Sequence, residues 1–127
     1  MSPERDQAEL LLRKARENRA VLDVVAADAS LPDSAVGFHA QQAVELAMKS
    51  VLALHGVDYP WAHDLRLLIA RLESAEVEVP EAVHEARVLT PWAVVYRYDE
   101  SPDEQIDRGE LISLVEAVLD WAEASLA

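Results

Sequence analysis

The sequence predicts an all-α fold, an antiparallel bundle of about five helices in a single domain over residues 1–127. Three observations predict it. Alanine, leucine, valine and glutamate dominate, and only three glycines interrupt them, a composition that favours helix over strand. Apolar residues recur at three- and four-residue spacing along most of the chain. Serine–proline pairs and a glycine stand where helices should start and stop.

The first helix is expected to begin at Ser2-Pro3, a capping serine with proline at the first helical position. It should run to about Ala29, turning Ala8, Leu11, Leu12, Ala15, Leu22 and Val25 inward. Ser30-Leu-Pro-Asp33 offers a capping-box-like start to a second helix. That helix, over residues 36–54, carries Val36, Ala40, Ala43, Val44, Ala47, Val51 and Leu54 on one face, widened by Leu46 and Met48. A helix apolar nearly all round is a buried central helix. Its narrow polar stripe holds Gln41, Gln42, Glu45 and Lys49, with Phe38 and Leu52 inside it.

His55-Gly56 should terminate the central helix, and the loop Val57–Trp61 follows. His63 or Asp64 starts a shorter third helix with Leu65, Leu68, Ile69 and Leu72 inward, and residues 73–79 form a connector. Pro80 opens a fourth helix carrying Val83, Ala86, Val88 and Leu89. Thr90-Pro91 should interrupt it before a restarted segment reaches about Asp99. Ser101-Pro102-Asp103-Glu104 reads as the clearest capping box in the chain. The last helix after it would bury Ile106, Leu111, Leu114, Val115, Val118, Trp121 and Ala122.

Composition narrows the chemistry. The chain has no cysteine, so disulfides, thiolate nucleophiles and cysteine-based metal centres are excluded. No apolar run reaches the roughly 18 residues of a membrane span, and the amphipathic amino terminus is unlike a signal peptide; a cytoplasmic location with no membrane partner is expected. The formal charge is −13, from 24 acidic against 11 basic residues. Such a field repels free nucleic acid. The basic cluster of Arg13, Lys14, Arg16 and Arg19 is diluted by Glu9 and Glu17 and reads as a solvated helix face. The four histidines lack ligand spacing, so no metal or cofactor is expected.

Two features remain as candidate sites. The stripe of Gln41, Gln42, Glu45 and Lys49 could be an exposed seam, in which Glu45 and Lys49 form an ordinary i,i+4 pair. It could equally be a ligand site or the seam of a symmetric dimer. Arg97 falls on the inward rank of Val83, Ala86, Thr90 and Ala93. A buried arginine needs a carboxylate or a phosphate, so it is either a structural partner of Glu45 or a phosphate ligand. Tyr96 and Tyr98 beside it could stack a base or simply pack.

The blocks FHAQQAVELAMKSVLALHG, HDLRLLIARL and LTPWAVVYRYDE, in this order and spacing, resemble the HEPN domain family of prokaryotic helical proteins over nearly the whole chain. The resemblance implies a homodimer formed through the central helices, with a cleft at the two-fold. It also implies a setting in which a small nucleotidyltransferase is the partner, as toxin and antitoxin. Active members are metal-independent ribonucleases with an Arg-x(4–6)-His motif. Arg97 matches the arginine, but Pro102, Asp103 and Glu104 stand where the histidine should be, and none follows His84.

Cleaving RNA without a metal requires a group that moves the 2'-hydroxyl proton and one that stabilises the phosphorane. Arg97 suits the second task; for the first, only Glu104 or His63 carried across a dimer offers itself. The expectation is therefore a protein that is non-catalytic by itself. Its nucleotide or nucleotidyltransferase partner would be bound through Arg97, Tyr98, Lys49, Glu45, Gln42, Gln41 and His63. A ribonuclease with a rearranged motif is the alternative, with RNA the weaker ligand.

Overall fold

The computed structural model describes residues 2–60, 63–93 and 106–127. Every regular element among them is helical: α1 (Pro3–Ala27), α2 (Asp33–Leu54), α3 (Leu65–Ser74), α4 (Glu81–Glu85) and α5 (Arg108–Leu126). α4 tightens into a 3₁₀ turn over Ala86–Leu89. α2 lies at the centre, touching α1, α3, α5 and the 3₁₀ turn.

α1 starts as its sequence dictates, with Ser2 Oγ accepting the Arg5 amide at 3.1 Å and Pro3 in the first turn. It pairs with α2 through alanines. Ala8, Ala15, Ala40, Ala43 and Ala47 are all fully buried, and such small side chains let two backbones approach closely. α1 stops at Ala27 rather than Ala29, because Asp28 turns extended. The Asp28 carboxylate then accepts from the Ser30 amide at 3.0 Å and the Ser30 hydroxyl at 2.6 Å. Those bonds hold its carboxyl below the usual range. They also consume the serine expected to cap α2. The capping box at Ser30–Asp33 does not form: Pro32 is the N-cap, without a side-chain bond, and α2 begins at Asp33, one turn earlier than Val36.

Asp33 is engaged elsewhere. Arg108, at the start of α5, places its guanidinium 3.0 Å from the Asp33 carboxylate. It also donates to the carbonyls of Ala26 (3.1 Å), Asp28 (3.1 Å) and Leu31 (2.7 Å). A helix ends with four carbonyls lacking intrahelical donors, and α1 has no basic residue in its own last turn. Arg108 supplies the missing donors from across the bundle, and its fixed fork suits several carbonyls at once. At the opposite end of the pair, Arg5 donates to the carbonyl of Leu126. α1 and α5 therefore run antiparallel.

Every predicted apolar position of α2 except Leu54 and Leu46, which are half-buried, lies in the core. Leu52, expected in the polar stripe, is also fully buried; neighbours on several sides leave α2 a narrower exposed sector than one amphipathic face implies. α2 and α3 end alike. Gly56 is left-handed (φ 67°), and Val57 N donates to Leu52 O at 3.0 Å, the bond of a Schellman terminus. Glu76 repeats this at the end of α3 with φ 60°, and Val77 N reaches Leu72 O at 3.0 Å.

α3 is capped by Asp64, whose carboxylate accepts the Arg66 amide at 3.0 Å. Leu65, Leu68, Ile69 and Leu72 all face the core. After α4, the 3₁₀ winding puts residues three apart on one face. Ala86 and Leu89 are therefore buried, whereas Val88, expected inward, is 62% exposed. Thr90 closes the turn, and its hydroxyl accepts the Leu65 amide at 3.2 Å. Trp92 follows, 7% exposed, against Gly37 of α2. α5 begins at Arg108 with Asp107 as cap, its carboxylate accepting the Glu110 amide at 3.1 Å. Ile106 precedes that helix and is half-buried. The remainder of the restarted segment and the Ser101–Glu104 capping box lie outside the described residues.

A Cβ on Gly37 would lie 2.7 Å from Trp92 Cγ and closer still to two other ring carbons. Overpacking of this kind costs about 1–3 kcal/mol against roughly 1 kcal/mol of helix propensity gained. Gly37→Ala is expected to destabilise the fold in urea unfolding. At Glu76 the strain runs the other way. A left-handed non-glycine residue costs roughly 1–2 kcal/mol, so Glu76→Gly should raise the unfolding midpoint by about 1 kcal/mol's worth of stability.

Candidate functional site

Gln41, Glu45 and Lys49 succeed one another at four-residue spacing, which stacks them on one rank of α2. That rank is not an exposed seam. Gln41 is fully buried and Glu45 only 3% exposed, because α2 is covered there by the loop entering α3. A buried carboxylate must be paired and hydrogen-bonded, and Glu45 is. Its Oε1 accepts from Gln41 Nε2 at 3.0 Å and faces His63 Nδ1 at 2.8 Å. Its Oε2 accepts from Lys49 Nζ at 3.0 Å.

The two glutamines complete the network. Gln41 Nε2 also donates to the carbonyl of His63 at 3.1 Å, fixing the backbone that presents the imidazole. Gln42 Nε2 donates to Gln41 Oε1 at 2.7 Å. No buried side-chain nitrogen or oxygen among the described residues lacks a partner. The Lys49 ammonium also sits over the Tyr59 ring, 5.3 Å from its centroid, a cation–π contact.

The bond geometry fixes the imidazole. Nδ1 lies against a carboxylate, so Nδ1 carries the proton and donates, which leaves Nε2 on the opposite edge of the ring. The His63 side chain is 49% exposed, against 4% for Glu45 and 13% for Lys49. The network thus has a buried anionic centre and a solvent-facing rim made by His63. Beside it, the Arg66 guanidinium bonds both oxygens of Asp64, at 3.0 and 2.9 Å, and holds that carboxyl below its usual range. Such a rim can present hydrogen-bond donors to an anion or move a proton.

Five of the seven residues singled out from the sequence, Gln41, Gln42, Glu45, Lys49 and His63, are therefore brought together. Arg97 and Tyr98 lie outside the described residues. Sequence reasoning missed two features. It paired Glu45 with Lys49 along the helix, as the structure has it, but did not see that His63 meets the other oxygen of Glu45. It also passed over Tyr59, whose only signal is its place beside Pro60 in the loop after α2. His39 is separate from the site. Its Nδ1 is 3.4 Å from Asn18 Oδ1 of α1, and burial pushes its imidazole below the ordinary value.

Other candidates do not gather chemistry. Arg16 bonds Glu123 at 2.8 Å, and Arg19 bonds Asp23 and, at 2.7 Å, Glu116. That part of the basic cluster is an ion-paired face joining α1 to α5. A groove of about 540 Å³ lies between the 3₁₀ turn and α5, lined by Leu89, Trp92, Ile106 and Leu111 among others, and contains none of the polar stripe. Among the described residues no group of three or more His, Asp or Glu could hold a metal ion. None of their helices is long and apolar enough to cross a membrane.

The fold and the stripe together define a class: a helical bundle whose buried central helix carries a paired-glutamine, glutamate and lysine rank. The sequence profile of the HEPN domain matches residues 8–125. The chain belongs to the HEPN domain family. No curated protein and no solved structure matches it.

Removing Glu45 would leave the largely buried Lys49 ammonium without its counter-charge and the buried Gln41 amide with only its bond to the His63 carbonyl. Breaking one side of a buried pair costs about 3–5 kcal/mol, whereas replacing both sides by apolar groups of similar shape is often near neutral. Glu45→Ala should therefore lower stability by several kcal/mol in denaturant unfolding. The double variant Glu45→Leu with Lys49→Met should be markedly more stable than Glu45→Ala.

Proposed function

We propose that this HEPN-domain protein is non-catalytic by itself and binds a nucleotide at the rim of the Glu45 network. In this reading Lys49 and His63 meet the phosphates, Gln42 supplies an amide, and Arg97 and Tyr98 complete the contacts. Its working partner would be a small nucleotidyltransferase, and its working form a homodimer through the central helices. One observation carries the proposal: a single buried carboxylate holds two basic side chains in fixed positions. A lysine already immobilised over an aromatic ring has given up much of its rotamer freedom before a ligand arrives, so less is lost on binding. That is how a phosphate site is preorganised, and an ordinary surface ion pair does not need it.

Calorimetric titration with ATP tests this. Binding should be measurable, and Lys49→Gln and Arg97→Ala should each weaken it about tenfold or more, equivalent to roughly 1.4 kcal/mol. If ATP gives no binding heat, and Arg97→Ala leaves association with a nucleotidyltransferase unchanged, the reading fails.

A second reading, a ribonuclease with a rearranged motif, draws support from the Glu45–His63 contact. An imidazole oriented by a carboxylate is a competent general base. Cleavage of RNA by the wild type, lost in His63→Gln, is the result that would select this reading over the first.

A further inference from the structure

We infer that the site takes up its anion together with a proton, which His63 carries, and that its ligand is a phosphate-bearing molecule bound more tightly as the pH falls. The inference rests on the nucleotide-binding reading above and concerns how that site is charged.

The argument is a charge count. Glu45 contributes one negative charge and Lys49 one positive, 3.0 Å apart and both largely removed from solvent. With a neutral imidazole the trio of Glu45, Lys49 and His63 has no net charge, so an approaching phosphate gains little from it. The Nδ1 proton of His63 is already committed to Glu45 at 2.8 Å. The remaining position for a charge is Nε2, on the edge of the half-exposed ring away from the carboxylate. A proton there makes the trio singly positive and adds an N–H donor on the solvent side, where a phosphate oxygen can accept it.

Among the described residues, the surroundings leave that charge uncancelled. From α2 only Glu45 and Lys49 are ionisable at the network; Gln41 and Gln42 are neutral. The loop after α2 contributes Tyr59, whose ring lies beneath the lysine ammonium. From the start of α3, Asp64 and Arg66 neutralise each other through two bonds. Thr90, bonded to the Leu65 amide, is uncharged. Binding and protonation must therefore help each other, since coupling between two sites is reciprocal. The sign follows: the extra affinity is present where Nε2 is protonated and is lost as the pH rises through the titration of the imidazole. A terminal phosphate, carrying more charge than a diester, should show the larger effect.

The experiment is ATP titration of the full chain between pH 6 and pH 8, repeated with His63→Gln. The glutamine amide can still donate to Glu45 but cannot take a charge, so protonation of ATP itself cancels in the comparison. The ratio of the two affinities should shift in favour of the wild type by about fivefold or more toward pH 6, within the ceiling of tenfold per pH unit set by one proton. In the wild type alone, the midpoint of the His63 ring titration followed by NMR should move to higher pH on adding ATP. Equal pH profiles for the two proteins, with ATP bound by both and the NMR midpoint unmoved, would overturn the inference and leave the binding reading standing. Absence of ATP binding by the wild type across the whole range would overturn the inference together with the nucleotide-binding part of that reading.

Discussion

A carboxylate buried in the middle of a helical bundle constrains everything around it. Glu45 is 3% exposed on a helix whose neighbouring faces are apolar, and an isolated charge in that position would be untenable. Its oxygens are met by Gln41 from one turn before, Lys49 from one turn after, and His63 from the following loop. The first two come with the helix. The third does not, and it pins the entry to α3 against α2, helped by the Gln41 bond to the His63 carbonyl. The network therefore fixes a helix–loop junction and builds a rim of basic groups in one arrangement.

The rest of the bundle is held by the same economy of satisfying polar groups across elements rather than within them. Arg108 of α5 closes the carbonyl end of α1, Arg5 of α1 meets the last turn of α5, and the Thr90 hydroxyl takes an amide at the start of α3. Trp121 of α5 donates to the carbonyl of Glu78 at 3.3 Å, tying the connector before α4 to the bundle. These contacts join residues far apart in sequence, so they set the relative placement of helices whose existence local propensity already favours. The net charge of −13 bears on the proposed site as well. In an acidic field a phosphate needs fixed local cations, and the Glu45 network is where two basic side chains are held ready.

Much of the architecture could be read in one dimension. Helix cores at Ala8, Leu11, Leu12 and Ala15, and at Leu65, Leu68, Ile69 and Leu72, followed from three- and four-residue spacing and are buried as expected. Ser2-Pro3 and Gly56 marked real helix ends because their signals are local: a side-chain oxygen within reach of an amide, and a residue free to turn left-handed. Where a local signal had a competitor, the reading failed. Ser30 was taken by Asp28, and Val88 was turned outward by 3₁₀ winding. Glu76 ends α3 in a conformation that glutamate does not advertise.

The sequence by itself determined the fold class, the central helix, its unusual polar rank and the membership that the HEPN domain match established over residues 8–125. Periodicity and composition are enough for those, because a helix's buried face is written into its own residues. Only the tertiary structure decided that the rank is buried, that His63 is the group across from Glu45, and that Tyr59 lies under Lys49. Such pairings depend on how a loop folds back across a helix 18 residues earlier, a choice made by packing and charge burial together, which no spacing along the chain encodes.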